Sequence, residues 1–171
     1  SLLDREAGFF RFGPFSISHP TAVAYEPGTN VLETTWKTPS GWIVVRDALT
    51  MGQWDHEDAI TPHTRPPADD DADHMLVRTV ECIDGHVEVE LVCEPVFDYG
   101  RTPAKWTTPD GDRNVADASG AGQTFRLQTD LALGIEENRV RARHVLQEGE
   151  RTYCALSWEE GLIVPQTADE A

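Results

Sequence analysis

The chain has 171 residues, the length of one domain, and a compact fold of that size removes about 68–70% of the chain's surface from water. Hydrophobic residues make up 39% and charged residues 26%, an ordinary balance for a soluble globular protein, and no apolar run approaches the roughly 20 residues of a membrane span. Thirty acidic side chains against 14 basic ones leave a net charge of -16, which repels phosphate backbones and anionic lipid surfaces but leaves a neutral ligand such as a sugar untouched.

Three cysteines, Cys82, Cys93 and Cys154, form neither an even disulfide set nor a C-x-x-C pair. Reduced thiols and the lack of a basic-then-apolar leader predict a cytoplasmic protein.

In chain order, most segments show the two-residue period of a strand, with side chains alternating between core and solvent. Val31–Lys37 and Trp42–Asp47 are predicted to form a hairpin across Thr38-Pro39-Ser40-Gly41, Pro fixing φ on entry and Gly supplying positive φ on exit. From Met51 to Asp73 no strand pattern exists, and so long a loop is either a solvated surface segment or one that docks on another domain. Met75–Ile83 and His86–Glu94 flank Asp84-Gly85, a pair that favours the type I′ hairpin turn. In the second of these runs Val87, Val89, Leu91 and Cys93 share one face, and His86, Glu88, Glu90 and Glu94 the other. Phe125, Leu127, Thr129 and Leu131 alternate as a further strand. Arg139–Leu146 and Arg151–Trp158 are predicted to pair through Glu148-Gly149-Glu150. With no apolar stripe of helical period, the pattern predicts an all-β antiparallel sandwich.

Motifs that carry chemistry are incomplete. His56-Glu57-Asp58-Ala59-Ile60 starts like a zinc-protease helix but has Ile60 where the second imidazole belongs. Asp69, Asp71 and Asp73 have calcium-loop spacing, yet His74 and Val80 occupy the Gly and Glu positions. Asp110, Asp112 and Asn114 fail in the same way, with Val115 and Ala121 there. Gly120-Ala121-Gly122 precedes a strand, so no helix N-terminus would meet a phosphate. No G-x-S-x-G elbow or cupin H-x-H signature occurs, and no metal or cofactor is expected. Among thirty acidic residues no acid–base pair for glycoside hydrolysis can be singled out. Of the five tryptophans, Trp36, Trp42 and Trp158 fall in predicted strands and read as core. Trp54 and Trp106 fall in predicted loops, where a ring can be exposed to stack on a sugar.

Tyr25-Glu26-Pro27-Gly28-Thr29-Asn30-Val31-Leu32-Glu33-Thr34-Thr35-Trp36, with Thr38-Pro39-Ser40-Gly41-Trp42 after it, resembles a long stretch in the N-terminal domains of glycoside hydrolase family 15, which includes bacterial trehalases and glucoamylases. Asp47-Ala48-Leu49-Thr50-Met51-Gly52, Asp71 to Val80, and Cys93-Glu94-Pro95-Val96-Phe97-Asp98-Tyr99-Gly100-Arg101 extend the likeness over essentially the whole chain, closest to the actinobacterial trehalase branch.

The resemblance implies a large β-sandwich over residues 1–171 in front of a six-hairpin α/α barrel that begins beyond Ala171 and holds the acid and base glutamates. It assigns no catalytic residue to this chain. Family members carry a segment ahead of the first matched residues, so a few strands of the sandwich are expected to precede it, leaving edges and an apolar face to be covered. The implied partners are the barrel and, in the parent, a neutral α-glucoside; a second copy of the chain is compatible with the same reading. Trp54, His56, Trp106, Asp98, Tyr99 and Arg101 are the candidate substrate or interdomain contacts. Trehalose hydrolysis is the activity implied for the parent, α-glucan hydrolysis the alternative, and a stand-alone carbohydrate-binding or structural module the rival from another class.

Overall fold

The computed structural model describes residues 8–51, 72–158 and 164–171. Among these, thirteen strands follow one another: β1 Phe9–Pro14, β2 Ala22–Tyr25, β3 Leu32–Lys37, β4 Gly41–Met51, β5 Ala72–Glu94, β6 Val96–Phe97, β7 Thr102–Pro103, β8 Lys105–Thr107, β9 Val115–Gly120, β10 Gln123–Thr129, β11 Gly134–Glu136, β12 Arg139–Gln147 and β13 Arg151–Ser157. The fold is all-β, as the period-two pattern predicts. One layer runs β2-β3-β4-β5-β13-β10-β9-β8, and the other joins β1, β12 and β11 to the second half of β5. All the pairings are antiparallel.

The β3–β4 hairpin forms as predicted, with Lys37 opposite Trp42 and the Thr38 amide donating to Gly41 O at 2.8 Å. Gly41 contributes differently from the expectation: its φ is not positive, and it is needed because a Cβ there would lie 2.2 Å from Asp84 O.

The Asp84-Gly85 hairpin does not form. β5 runs unbroken for 23 residues, its first half pairing with β4 and β13 and its second with β1 and β12. Asp84-Gly85 is the bend at which the strand passes between layers. Trp42 opposes Asp84 while Ile43 opposes Cys82, so Ile83 is an extra residue, a bulge of the kind that carries one strand round a sandwich corner. Gly85 sits at φ 66, and a Cβ on it would lie 2.3 Å from Ser40 O. The bend's backbone groups find partners in both neighbours: His86 N donates to Ser40 O at 3.0 Å, Glu148 N to Gly85 O at 2.9 Å and Gly149 N to Cys82 O at 2.8 Å.

The predicted pairing of Arg139–Leu146 with Arg151–Trp158 is also replaced. β12 and β13 pair with successive halves of β5 and so run in the same direction along it, and Glu148-Gly149-Glu150 is a bend facing the β5 bulge.

The core lies between the layers. Ile43, Val45, Val80, Cys82, Ala116, Ala118 and Leu127 meet Phe12, Val87, Val89, Leu91, Cys93, Val140 and Ala142, all buried, each large aliphatic contributing about 1.5–3 kcal/mol of transfer free energy. Glu90, on the opposite face of β5, is buried as well, because Arg143 (2.9 Å) and Arg141 (3.3 Å) from β12 close over its carboxylate. The outer face of the larger layer has its own apolar patch of Met75, Val77, Tyr153 and Ala155, covered by Val164 and Ala168. Tyr153 Oη donates to Pro165 O at 2.6 Å and fastens this closing segment.

Candidate functional site: the β6–β7 corner and its groove

The corner Phe97–Arg101 leaves the sandwich between β6 and β7, whose two-residue strands pair Val96 with Pro103 and Phe97 with Thr102. Asp98, Tyr99 and Gly100 adopt φ of 49, 54 and 91, three left-handed residues in succession. For the two that carry a Cβ, this conformation costs roughly 1–2 kcal/mol each. Arg101 N closes the turn on Phe97 O (3.1 Å) and Asp98 O (3.2 Å). The strain is held by Phe97, which is buried, stacks 5.4 Å from Phe125 and lies against Gly120, where a Cβ would come within 2.4 Å of its ring. With Phe97 anchored, Tyr99 projects fully, 99% exposed.

Within Gly120-Ala121-Gly122, uninformative as a phosphate loop, Ala121-Gly122 is the two-residue hairpin connection between β9 and β10: Gly120 opposes Gln123, and Ala121 and Gly122 both have positive φ (51 and 78), the type I′ pattern. Together the two turns border an open groove of about 830 Å³, lined by Asp98, Tyr99, Gln123, Thr124, Phe125 and Trp158 among others.

The sequence-predicted contacts fare unequally. Asp98, Tyr99 and Arg101 come together at this corner; the Arg101 guanidinium lies 3.9 Å from the Asp98 carboxylate, and both are exposed, so the pair is worth little in stability. Trp106 lies in β8 and not in a loop; it is 8% exposed, donates from Nε1 to Asn138 O at 2.9 Å and meets Phe125 edge-on. Its ring belongs to the core. Trp158 has the reverse correction: it follows the last residue of β13, is 49% exposed, and packs against His74 with ring centroids 5.8 Å apart. Sequence reasoning passed over it because it continues the apolar run Tyr153 to Leu156 of a predicted core strand. Trp36 packs against the core and Trp42 is half-buried beneath the Lys37 ammonium. Trp54 and His56 lie outside the described residues.

The half-buried carboxylates are held by arginines. Arg46 bonds Glu26 (2.9 Å), Glu33 (3.1 Å) and Glu81 (3.1 Å), and Arg151 reaches Glu81 at 3.0 Å. Burial raises the Glu81 carboxyl, but hydrogen bonds from Arg151 and Arg46 outweigh it and leave the group below the ordinary glutamate range. A general acid for glycoside cleavage needs the opposite shift. Burial pushes the Cys93 thiol up to about 12 and Cys154 higher still, so neither is an available nucleophile. Among the described residues no group of three or more His, Cys, Asp or Glu is placed to hold a metal ion.

Fold and corner together describe a β-sandwich domain in which Glu26, Glu33, Glu81 and Glu90 are engaged by arginines. The chain is 47% identical over 177 aligned positions to the trehalase of Mycolicibacterium smegmatis and 46% identical to that of Mycobacterium tuberculosis. In both cases the alignment takes in the whole chain and 26% of the relative. No family model matches it. The chain matches the N-terminal part of these two trehalases and spans about a quarter of their length. No helix among the described residues is long and apolar enough to cross a membrane.

Proposed function

We propose that the chain is the non-catalytic N-terminal β-sandwich, over residues 1–171, of a cytoplasmic trehalose-hydrolysing enzyme of glycoside hydrolase family 15, and that it packs against and positions a catalytic α/α barrel supplied by the rest of the polypeptide. The observation that carries this reading is the whole-chain match to a quarter of two trehalases. The arginine-held carboxylates support it, since Glu81 is tuned away from the protonated state that an acid catalyst requires. In this reading the substrate is a neutral α-glucoside, to which a domain with a net charge of -16 offers no electrostatic barrier. Asp98, Tyr99 and Arg101 are its contacts toward substrate or barrel, and Trp54 and His56 belong to the same set.

The test is glucose release. The longer polypeptide is expected to produce glucose from trehalose in preference to maltooligosaccharides, and the 171-residue chain alone to produce none. Trehalose cleavage by the isolated chain overturns the non-catalytic assignment, and preference for maltooligosaccharides overturns the substrate.

A further inference from the structure

We propose that the groove between the β6–β7 corner and the end of β13 binds a pyranoside ring of a neutral sugar, stacked on Trp158 and flanked by Tyr99. The groove's chemistry stands without the parent's activity; only the choice of α-glucosides as first ligands rests on the reading above.

This surface exposes two large aromatic rings. Trp158 is 49% and Tyr99 99% exposed, and both line one groove, whereas isolated surface aromatics need no such explanation. Its volume of about 830 Å³ falls in the range of small-ligand sites, roughly 300–1,000 Å³. The same lining includes a carboxylate, an amide and a hydroxyl, from Asp98, Gln123 and Thr124. Among the described residues none of those lining the groove is cationic, and the net charge of -16 disfavours phosphorylated or acidic ligands. A pyranoside has the matching pattern: C–H bonds that present an apolar face to an aromatic plane, and equatorial hydroxyls that donate to a carboxylate and exchange hydrogen bonds with an amide.

Backbone strain collects at the same place. Five non-glycine residues have positive φ among those described: His74, Asp98, Tyr99, Ala121 and Glu137. Asp98, Tyr99 and Ala121 line the groove, and His74 packs on Trp158. Residues held in sparsely populated conformations concentrate at ligand contacts, where the surrounding fold over-determines them. Here the over-determination is visible, since Phe97 packs between Phe125 and Gly120.

Saturation-transfer NMR on the 171-residue chain, with trehalose and maltose as ligands and sorbitol as a ring-less polyol, tests the proposal; if the isolated chain lacks a dispersed amide spectrum, sugar-induced amide shifts confined to residues 96–101 and 121–125 are read in the longer protein instead, with maltose as ligand. The expected result is transfer to pyranose ring protons with millimolar affinity. Trp158→Ala weakens it about tenfold and Tyr99→Ala severalfold, Trp158→Phe keeps part of it, and Trp42→Ala at the opposite end of β4 leaves it unchanged. Equal transfer to sorbitol, affinity indifferent to Trp158→Ala and Tyr99→Ala in folded variants, or no transfer at all overturns the site. Protection of the 96–101 and 121–125 amides from exchange in the longer protein, without sugar contact, assigns the groove to an interdomain interface and also overturns it. Glucose release by the longer protein is read separately, so loss of that activity rejects the trehalase reading without touching the groove, and the reverse holds.

Discussion

Two corners of the molecule are written in nearly the same letters and behave in opposite ways. Asp84-Gly85 and Asp98-Tyr99-Gly100 each join an acidic residue to a left-handed glycine, a composition that signals a turn. At the first, the chain does not turn back. The neighbouring segments of β3–β4 and β12–β13 take up its amides and carbonyls, and the glycine is wedged against Ser40. At the second, the chain does turn, and two residues bearing side chains accept left-handed strain so that Tyr99 stands in solvent. A turn sequence therefore takes its meaning from what lies beside it: enclosed by strands it becomes a hinge between layers, and at the rim it becomes a contact surface.

The contrast can be broken most severely at Gly85. Alanine there is strained at φ 66 and clashes with a carbonyl 2.3 Å away, so Gly85→Ala is expected to cost about 3 kcal/mol or more, and Gly41→Ala, facing Asp84 O at 2.2 Å, to act similarly. Urea unfolding measures both; a loss under 1 kcal/mol would show that the corner relaxes freely.

Gly120→Ala is expected to cost less, about 1–3 kcal/mol, because its new methyl meets a ring, Phe97, that can shift. The displaced ring carries the β6–β7 corner with it, so amide shifts at Asp98 to Arg101 should accompany the loss, and a destabilised variant with an unmoved corner would contradict the anchoring role of Phe97.

Titration follows. Glu81 has a lowered pKa in the fold, so it binds fewer protons folded than unfolded. Its contribution is present above the unfolded value of ~4.3 and is lost as pH falls through the folded value. Glu81→Gln should flatten that acid limb. Cys93, raised to about 12, works in the other direction: the unfolded thiol ionises from ~8.5 while the folded one stays neutral, so stability declines as pH rises past that point. In the native state Cys93 and Cys154 should resist alkylation at pH 8, and rapid labelling without unfolding would refute their burial.

The smallest effect has the opposite sign. Tyr99→Gly relieves a left-handed tyrosine at φ 54 and is expected to be neutral or to stabilise by up to about 1 kcal/mol, while weakening sugar contact. A destabilisation of that size instead would mean that the exposed ring contributes to the fold.

Much of this was legible in the residues. The alternation of Val87, Val89, Leu91 and Cys93 placed four buried side chains on one face, and Thr38 to Gly41 marked the β3–β4 hairpin, since period-two side-chain direction and short turns are local properties. The stretch from Tyr25 to Trp42 carried a likeness to trehalases that the whole-chain comparison also shows. Other features misled for the same physical reason. Ile83 pairs with no residue of β4, and Gly85 serves a bulge as readily as a turn, so only the strands lying alongside could decide between them.

Near-neighbour geometry and residue chemistry were enough to read the all-β class and the faces of its strands from the residues alone. Tertiary structure alone decided that β5 serves both layers, that Trp106 is enclosed while Trp158 stands open, and that Tyr99, Gln123 and Trp158 border one groove. Those facts depend on which distant backbone supplies each hydrogen bond and which surface lies opposite each ring, and no local period encodes either.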